Sequence, residues 1–151
     1  MAELSGIEVA LAGPADLAAV QSFYLRVGYS GGANPNDRII IATQAGSIVA
    51  AAKLSSEVTT LVLRGMYVAE SLRGTGVGTL LLGRISAEIG MLACWCIPYT
   101  HLEGFYSRIG FRICDNGEIP GFLVTRKKQY ISAGHDVSIM KRSEGWNLPP
   151  E

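Results

Sequence analysis

Arg73, Gly74, Gly76 and Gly78 crowd into six positions at the head of a periodic apolar segment, in the run Arg73-Gly74-Thr75-Gly76-Val77-Gly78-Thr79. Residues of these types at this spacing bind anions. The first N–H groups of a helix have no partner within it and attract negative charge. Glycines let the backbone approach a phosphate and adopt the angles of an N–H nest. Arg73 adds one fixed positive charge. A nucleoside triphosphate loop would need Gly-x-x-x-x-Gly-Lys-Ser/Thr, and no lysine follows these glycines. A dinucleotide loop would need Gly-x-Gly-x-x-Gly, and counting from Gly74 puts Thr79 in the last position. What remains is Arg-x-x-Gly-x-Gly, from Arg73 through Gly76 to Gly78.

The loop has to be held between a strand and a helix. Val58 to Val68 is rich in Leu, Val and Thr and reads as a strand, and Val77, Leu81, Ile85 and Ile89 repeat at helical spacing up to Gly90. Before them come an opening strand at Ile7–Leu11, a helix through Leu17, Val20, Tyr24 and Val27, and a turn-rich stretch from Ser30 to Asp37. A hairpin follows, Arg38–Thr43 and Ser47–Leu54. After them come a short strand within Met91–Ile97, a helix at Thr100–Ile109 and a strand at Phe111–Cys114. Pro120–Tyr130 fits helix or strand and leans to helix, and Val137–Lys141 is the closing strand. Antiparallel strands come first and a strand–helix–strand crossover follows, which makes the chain mixed α/β.

The pattern Arg73–Gly78 on a strand–loop–helix resembles the pyrophosphate loop of the GNAT superfamily of N-acetyltransferases. Downstream, Phe105-Tyr106-Ser107-Arg108-Ile109-Gly110-Phe111 resembles that family's Phe-Tyr-x-x-x-Gly-Phe segment. The order of elements agrees over roughly the whole chain, 1–151, as a single domain. The resemblance implies a central mixed, mostly antiparallel sheet flanked by helices, with the fourth strand splayed from the fifth. It implies acetyl-CoA as co-substrate and no metal. Met66, Tyr67 and Val68 would meet the pantetheine arm, and Arg73, Gly74, Thr75, Gly76, Val77, Gly78 and Thr79 would hold the pyrophosphate. Tyr106 falls where many relatives protonate the departing thiolate. The implied reaction is direct attack of a primary amine, from a small molecule or a peptide, with both substrates bound. The alternative is a non-catalytic acyl-CoA sensor, for which Tyr106 would be superfluous.

Two positions depart from the family pattern. Thr59 to Val68 contains no carboxylate where many relatives keep a general base, and Glu57 and Glu70 only flank it. Water, Glu103, His101 or a tyrosine is left for that task. Tyr99 stands where many relatives have asparagine, seven residues before Tyr106. Arg64, Tyr99 and His101 are the candidate acceptor-binding residues. Strict alternation would put Arg64, Met66 and Val68 on one face of their strand. Arg64 fits either a bidentate hold on a substrate carboxylate or a structural ion pair. His101 also fits a hydrogen bond at a helix start.

Cys94 and Cys96 share one strand face and read as buried small hydrophobes. With Cys114 they make an odd count, so no disulfide framework is expected. Among 151 residues, 13 Lys plus Arg balance 13 Asp plus Glu, so neither nucleic acid nor an anionic membrane is an expected partner. The run Arg126-Lys127-Lys128 reads as a solvated helix face. The start shows no signal-peptide pattern and no window is a membrane span, so a cytoplasmic protein is expected, with a homodimer left open. The tail from Gly145 should fray unless Trp146 tacks it down.

Overall fold

Two hairpins with two-residue turns build the first half of the sheet. Strands β1 (Ile7–Leu11), β2 (Arg38–Gln44), β3 (Ser47–Glu57) and β4 (Thr60–Val68) pair antiparallel in that order. Ala45 and Gly46 turn β2 into β3 with φ 51° and 79°, the all-positive backbone that a tight hairpin prefers. Val58 and Thr59 turn β3 into β4 with φ 47° and 60°. The sequence reading placed both inside the strand, because β-branched residues carry no turn signature.

The computed structural model describes residues 5–146. After β4 come helix α2 (Val77–Ile89), β5 (Cys94–Cys96), α3 (Glu103–Ser107), β6 (Phe111–Ile113), α4 (Gly121–Ser132) and β7 (Met140–Arg142). Helix α1 (Leu17–Val27) joins β1 to β2 and ends at Gly28, whose φ of 82° is the left-handed cap that glycine permits. The seven strands lie in the order β1-β2-β3-β4-β5-β7-β6, and β4–β5 is the parallel pair. The structure is therefore the mixed, mostly antiparallel sheet that the sequence implies. The closing strand begins later than expected: Val137 makes only an isolated bridge to Tyr99. Of the expected tail, 147–151 lie outside the described residues.

Alternation along the strands feeds two layers. Ile40, Ala42, Ala50, Ala52 and Leu63 pack under α2, with Tyr106 of α3 and both Cys94 and Cys96. Ile39, Ile41 and Ala51 pack on the opposite face against Val20, Phe23 and Tyr24 of α1, and Val62 and Trp95 against Leu123 of α4. Arg142 is 2% exposed and ties β7 to the end of α2. It donates to the Ser86 and Gly90 carbonyls at the C-terminus of α2 and stacks on Trp146 at 4.6 Å. A cation there meets the negative end of the helix dipole.

Candidate functional site

One extra residue in β4 decides how the site opens. Lys53 faces Arg64 and Ala51 faces Tyr67, so Ala52 stands opposite both Gly65 and Met66, a β-bulge. Gly65 carries φ 63°, and a Cβ there would lie 2.8 Å from Tyr24 Oη and 3.0 Å from Tyr29 Cε2. The bulge reverses the parity of the strand. Leu61 and Leu63 before it, and Met66 and Val68 after it, pack on the α2 side. Arg64 and Tyr67 fall on the other face, where Arg64 meets Glu57 and Tyr67 joins the α1 layer. The expected common face of Arg64, Met66 and Val68 is thus corrected.

Beyond the bulge β4 also leaves β5. The two pair only at Val62–Trp95 and Leu63–Cys96, and Pro98 has no N–H with which to extend the ladder. A cleft of about 980 Å³ opens from this parting.

Its first end is the glycine loop. A 3-10 turn at Glu70–Leu72 leads to Gly74 (φ 79°) and Gly76 (φ 98°), and Gly76 caps α2. Among the described residues, no backbone acceptor takes the N–H groups of Gly74, Gly76, Val77, Gly78 or Thr79. Arg73 Nε donates to the Val68 carbonyl at 3.3 Å, and Arg108 Nη1 donates to Thr79 Oγ1 at 3.2 Å. Four of these donors, at Gly74, Gly76, Gly78 and Thr79, line the cleft, and with two guanidiniums at a helix start they suit a polyanion such as a pyrophosphate. Thr75 and Val77 do not line the cleft: the Thr75 hydroxyl bonds to the Leu72 carbonyl, and Val77 is fully buried. Arg108 was missed in the sequence reading, although it lies inside the Phe-Tyr-x-x-x-Gly-Phe segment.

The middle of the cleft is formed by Met66, Tyr67, Val68 and Tyr106. Phe105 packs against Gly78, and Tyr106 is 6% exposed, with its ring edge-on to Phe105 and Phe111. Burial pushes the Tyr106 hydroxyl well above its ordinary value, and Cys96 and Tyr67 add to the rise. The hydroxyl therefore stays protonated. Burial also pushes the Cys94 thiol up to about 12 and Cys96 well up, which makes both poor nucleophiles. Among the described residues, no group of three or more His, Cys, Asp or Glu stands where it could hold a metal.

The second end is aromatic and basic. Arg64, Tyr99 and His101 all line it, joined by Tyr29, Arg126, Tyr130 and His135. Tyr99 stacks on His101 at 5.7 Å and shares a hydrogen bond with His135 Nδ1 at 3.3 Å. The helix-start hydrogen bond considered for His101 is not seen among the described residues: neither the turn at Thr100–Leu102 nor α3 carries a side-chain cap, and the neighbouring Thr100 hydroxyl donates to Asp136 at 2.9 Å. Glu103 is engaged by the Ser138 hydroxyl and does not line the cleft. Arg126 is not on a solvated face: it grips Glu57 with two bonds, of 2.6 and 3.2 Å. Arg126 and Tyr130 sit one turn apart on α4, and nothing local in the sequence says which way that turn faces.

The sequence profile described as acetyltransferase (GNAT) domain matches residues 35–113, just over half of the chain. A search of the curated proteins by sequence returns no match. Among solved structures, Escherichia coli ElaA is similar at TM-score 0.68 and 18% identity, covering 91% of this chain and 99% of that one. The ribosomal-protein-S18-alanine N-acetyltransferase of Escherichia coli is similar at TM-score 0.64 and 15% identity, covering 96% and 99%. N-acetylglutamate synthase from Neisseria gonorrhoeae, complexed with coenzyme A and N-acetyl-glutamate, gives 0.63 and 20%, covering 93% of this chain but 35% of that one. At these identities the likeness concerns the fold.

Proposed function

Since the chain belongs to the GNAT acetyltransferase family, we propose that it moves an acetyl group from acetyl-CoA to a primary amine by direct attack, with both substrates bound. One observation carries the reading. A single cleft runs from the open N–H groups of Gly74, Gly76, Gly78 and Thr79, past the parting of β4 and β5, to the protonated Tyr106 hydroxyl. Acetyl-CoA would supply the acyl group as a thioester.

The chain's own groups divide the work. Arg73, Arg108 and the loop N–H groups hold the pyrophosphate. The backbone of Met66 to Val68 meets the pantetheine arm, and an N–H there can take charge developing on the acyl oxygen. Tyr106 donates a hydrogen bond to the departing sulfur. Full proton transfer to a thiolate of pKa about 8.5 from a phenol above about 10 is uphill, so donation rather than transfer is the economical role.

The acceptor must arrive as a free amine. No carboxylate lines the cleft among the described residues, while Arg64, Arg73, Arg108 and Arg126 all do. Arg73 and Arg108 face the pyrophosphate and Arg126 is paired with Glu57, so the charge at the acceptor end is that of Arg64; like charge disfavours an ammonium and favours the free amine without a carboxylate base. His101 or His135 then passes the proton to water.

The test is a screen of amines for acetyl-CoA-dependent thiol release. Saturable release with at least one amine class supports the reading. Tight acetyl-CoA binding without release for any amine replaces it with the sensor.

A further inference from the structure

The proposed function leaves open which amine is used, and the second end of the cleft carries a charge that the protein does not neutralise. Lys53, Arg64 and Arg126 gather there around two carboxylates, Asp37 and Glu57. Lys53 is spoken for. It is 4% exposed, donates to the Gly32 carbonyl at 2.8 Å, and lies 3.9 Å from Asp37 under the loop that carries Tyr29. Glu57 is spoken for as well, because Arg126 holds both its oxygens. Arg64 is left 3.7 Å from Glu57, beyond hydrogen-bond reach, and its other polar neighbour, the Tyr130 hydroxyl, carries no charge to offset its own. Three cations against two carboxylates leave one positive charge, on a side chain 26% exposed and open to the cleft.

Position adds to charge. Arg64 directly precedes Gly65 and Met66, where β4 bulges and parts from β5. A group held by Arg64 would therefore sit a few bonds from the acyl position of the proposed reaction. Tyr29 and Tyr130 border the same guanidinium. Their rings make walls that shield a bound anion from salt and water.

We infer that Arg64, backed by Arg126 and bordered by Tyr29 and Tyr130, is a carboxylate subsite, and that the acceptor is a small amine bearing its own carboxylate, an amino acid. The inference rests on the acetyl-transfer reading of the same cleft. A polyamine would meet repulsion at this end. A peptide N-terminus would carry its carboxylate too far away to reach Arg64.

The experiment compares amino acids with their primary amides in acetyl-CoA-dependent thiol release, for wild type, Arg64→Met and Arg64→Lys. A charge-assisted bond of this kind predicts a preference of about tenfold to a hundredfold in kcat/KM for the acid. Arg64→Met should bring the acid-to-amide ratio to about one and leave acetyl-CoA affinity intact. Arg64→Lys, which keeps the charge but not the fork, should retain part of the ratio. Turnover with acids and amides used equally by wild type overturns the subsite and leaves acetyl transfer standing. If no amine is turned over, calorimetry of N-acetyl amino acids and their amides on the CoA-loaded protein decides the subsite separately. Acid preference that disappears in Arg64→Met, or that wild type alone shows where that variant does not fold, upholds it. Equal binding rejects it.

Discussion

Arg64 and Met66, two positions apart on β4, point to opposite faces of the sheet: Arg64 toward Glu57, Met66 into the layer beneath α2. The bulge at Gly65 is the cause, since two residues there face the single Ala52. One strand thereby serves both ends of the cleft. Before the bulge it presents a charge to the aromatic and basic end, and after it the apolar side chains of Met66 and Val68 toward the end with the glycine loop.

Gly65→Ala tests how firmly that geometry is required. The alanine must hold φ near 63° and push Tyr24 Oη from 2.8 Å and Tyr29 from 3.0 Å. Strain of about 1–3 kcal/mol is expected, lowering Tm by roughly 2–4 °C for each kcal/mol at this size. An unchanged Tm in a thermal melt would mean that the strand runs through without a bulge.

The Val58–Thr59 turn offers the opposite experiment. Val58 is 77% exposed, and both residues hold a left-handed backbone that β-branched side chains resist. Replacing the pair by Val58→Asn with Thr59→Gly supplies the residues this turn prefers. Stability should rise by about 1–2 kcal/mol, and a denaturant midpoint that falls or stays level would contradict the turn geometry.

The bulge at Gly65 and the turn at Val58–Thr59 also mark how far the sequence could be read. The Arg73–Gly78 loop and the Phe105–Phe111 segment were legible because glycine at a left-handed position, such as Gly76 at φ 98°, leaves few other reasons for its presence. Helix α2 was legible from its apolar period. The faces of Arg64 and Met66 were not, because one inserted residue inverts every later position and Gly65 is the only local sign. The Val58–Thr59 turn was hidden because neither residue looks like a turn. Arg126 was read as solvated because its partner, Glu57, lies 69 positions away, and pairing across that distance is written in the packing of α4, not in any local pattern.

Cofactor binding makes a further prediction. Acetyl-CoA at a hundred times its Kd should stabilise the folded protein by about 2.7 kcal/mol. Gly76→Asp puts a side chain on a backbone at φ 98° and a negative charge among the open N–H groups. The thermal shift with acetyl-CoA should vanish in that variant. A normal shift in a folded Gly76→Asp protein would move the pyrophosphate away from this loop.

The cysteines respond to pH and to thiol reagents in a calculable way. Cys94 and Cys96 are 0% and 3% exposed, whereas Cys114 is only partly buried. A maleimide at pH 8 should therefore label Cys114 first in the native protein and all three after denaturation. Burial raises the folded Cys94 pKa to about 12 from an ordinary value of 9.0, so its thiol stays protonated in the fold while the unfolded thiol ionises. The associated stability is full below pH 9.0 and is lost as pH rises from there toward 12. Equal native labelling of all three thiols, seen by mass spectrometry, would contradict the buried placement of the pair.

Tyr106→Phe tests the donor role in the proposed acetyl transfer. The substitution removes one hydroxyl and keeps the ring that packs edge-on against Phe105 and Phe111, so the fold and most of the acetyl-CoA affinity should survive. As the C–S bond breaks, sulfur gains negative charge and the lost donor is felt only then. A positioned donor to developing charge contributes about a hundredfold to a thousandfold, and a thiolate is already a tolerable leaving group, so kcat should fall by roughly one to three powers of ten with KM little changed. Burial holds the hydroxyl well above its ordinary value. Wild-type activity should therefore show no alkaline decline from Tyr106 ionisation below about pH 10, and Tyr106→Phe should lower the profile without altering its alkaline limb. A variant as fast as wild type would assign the donor to another group or to water. A variant whose loss lies in KM would make Tyr106 a wall of the binding cleft, with no part in the departure of the thiolate.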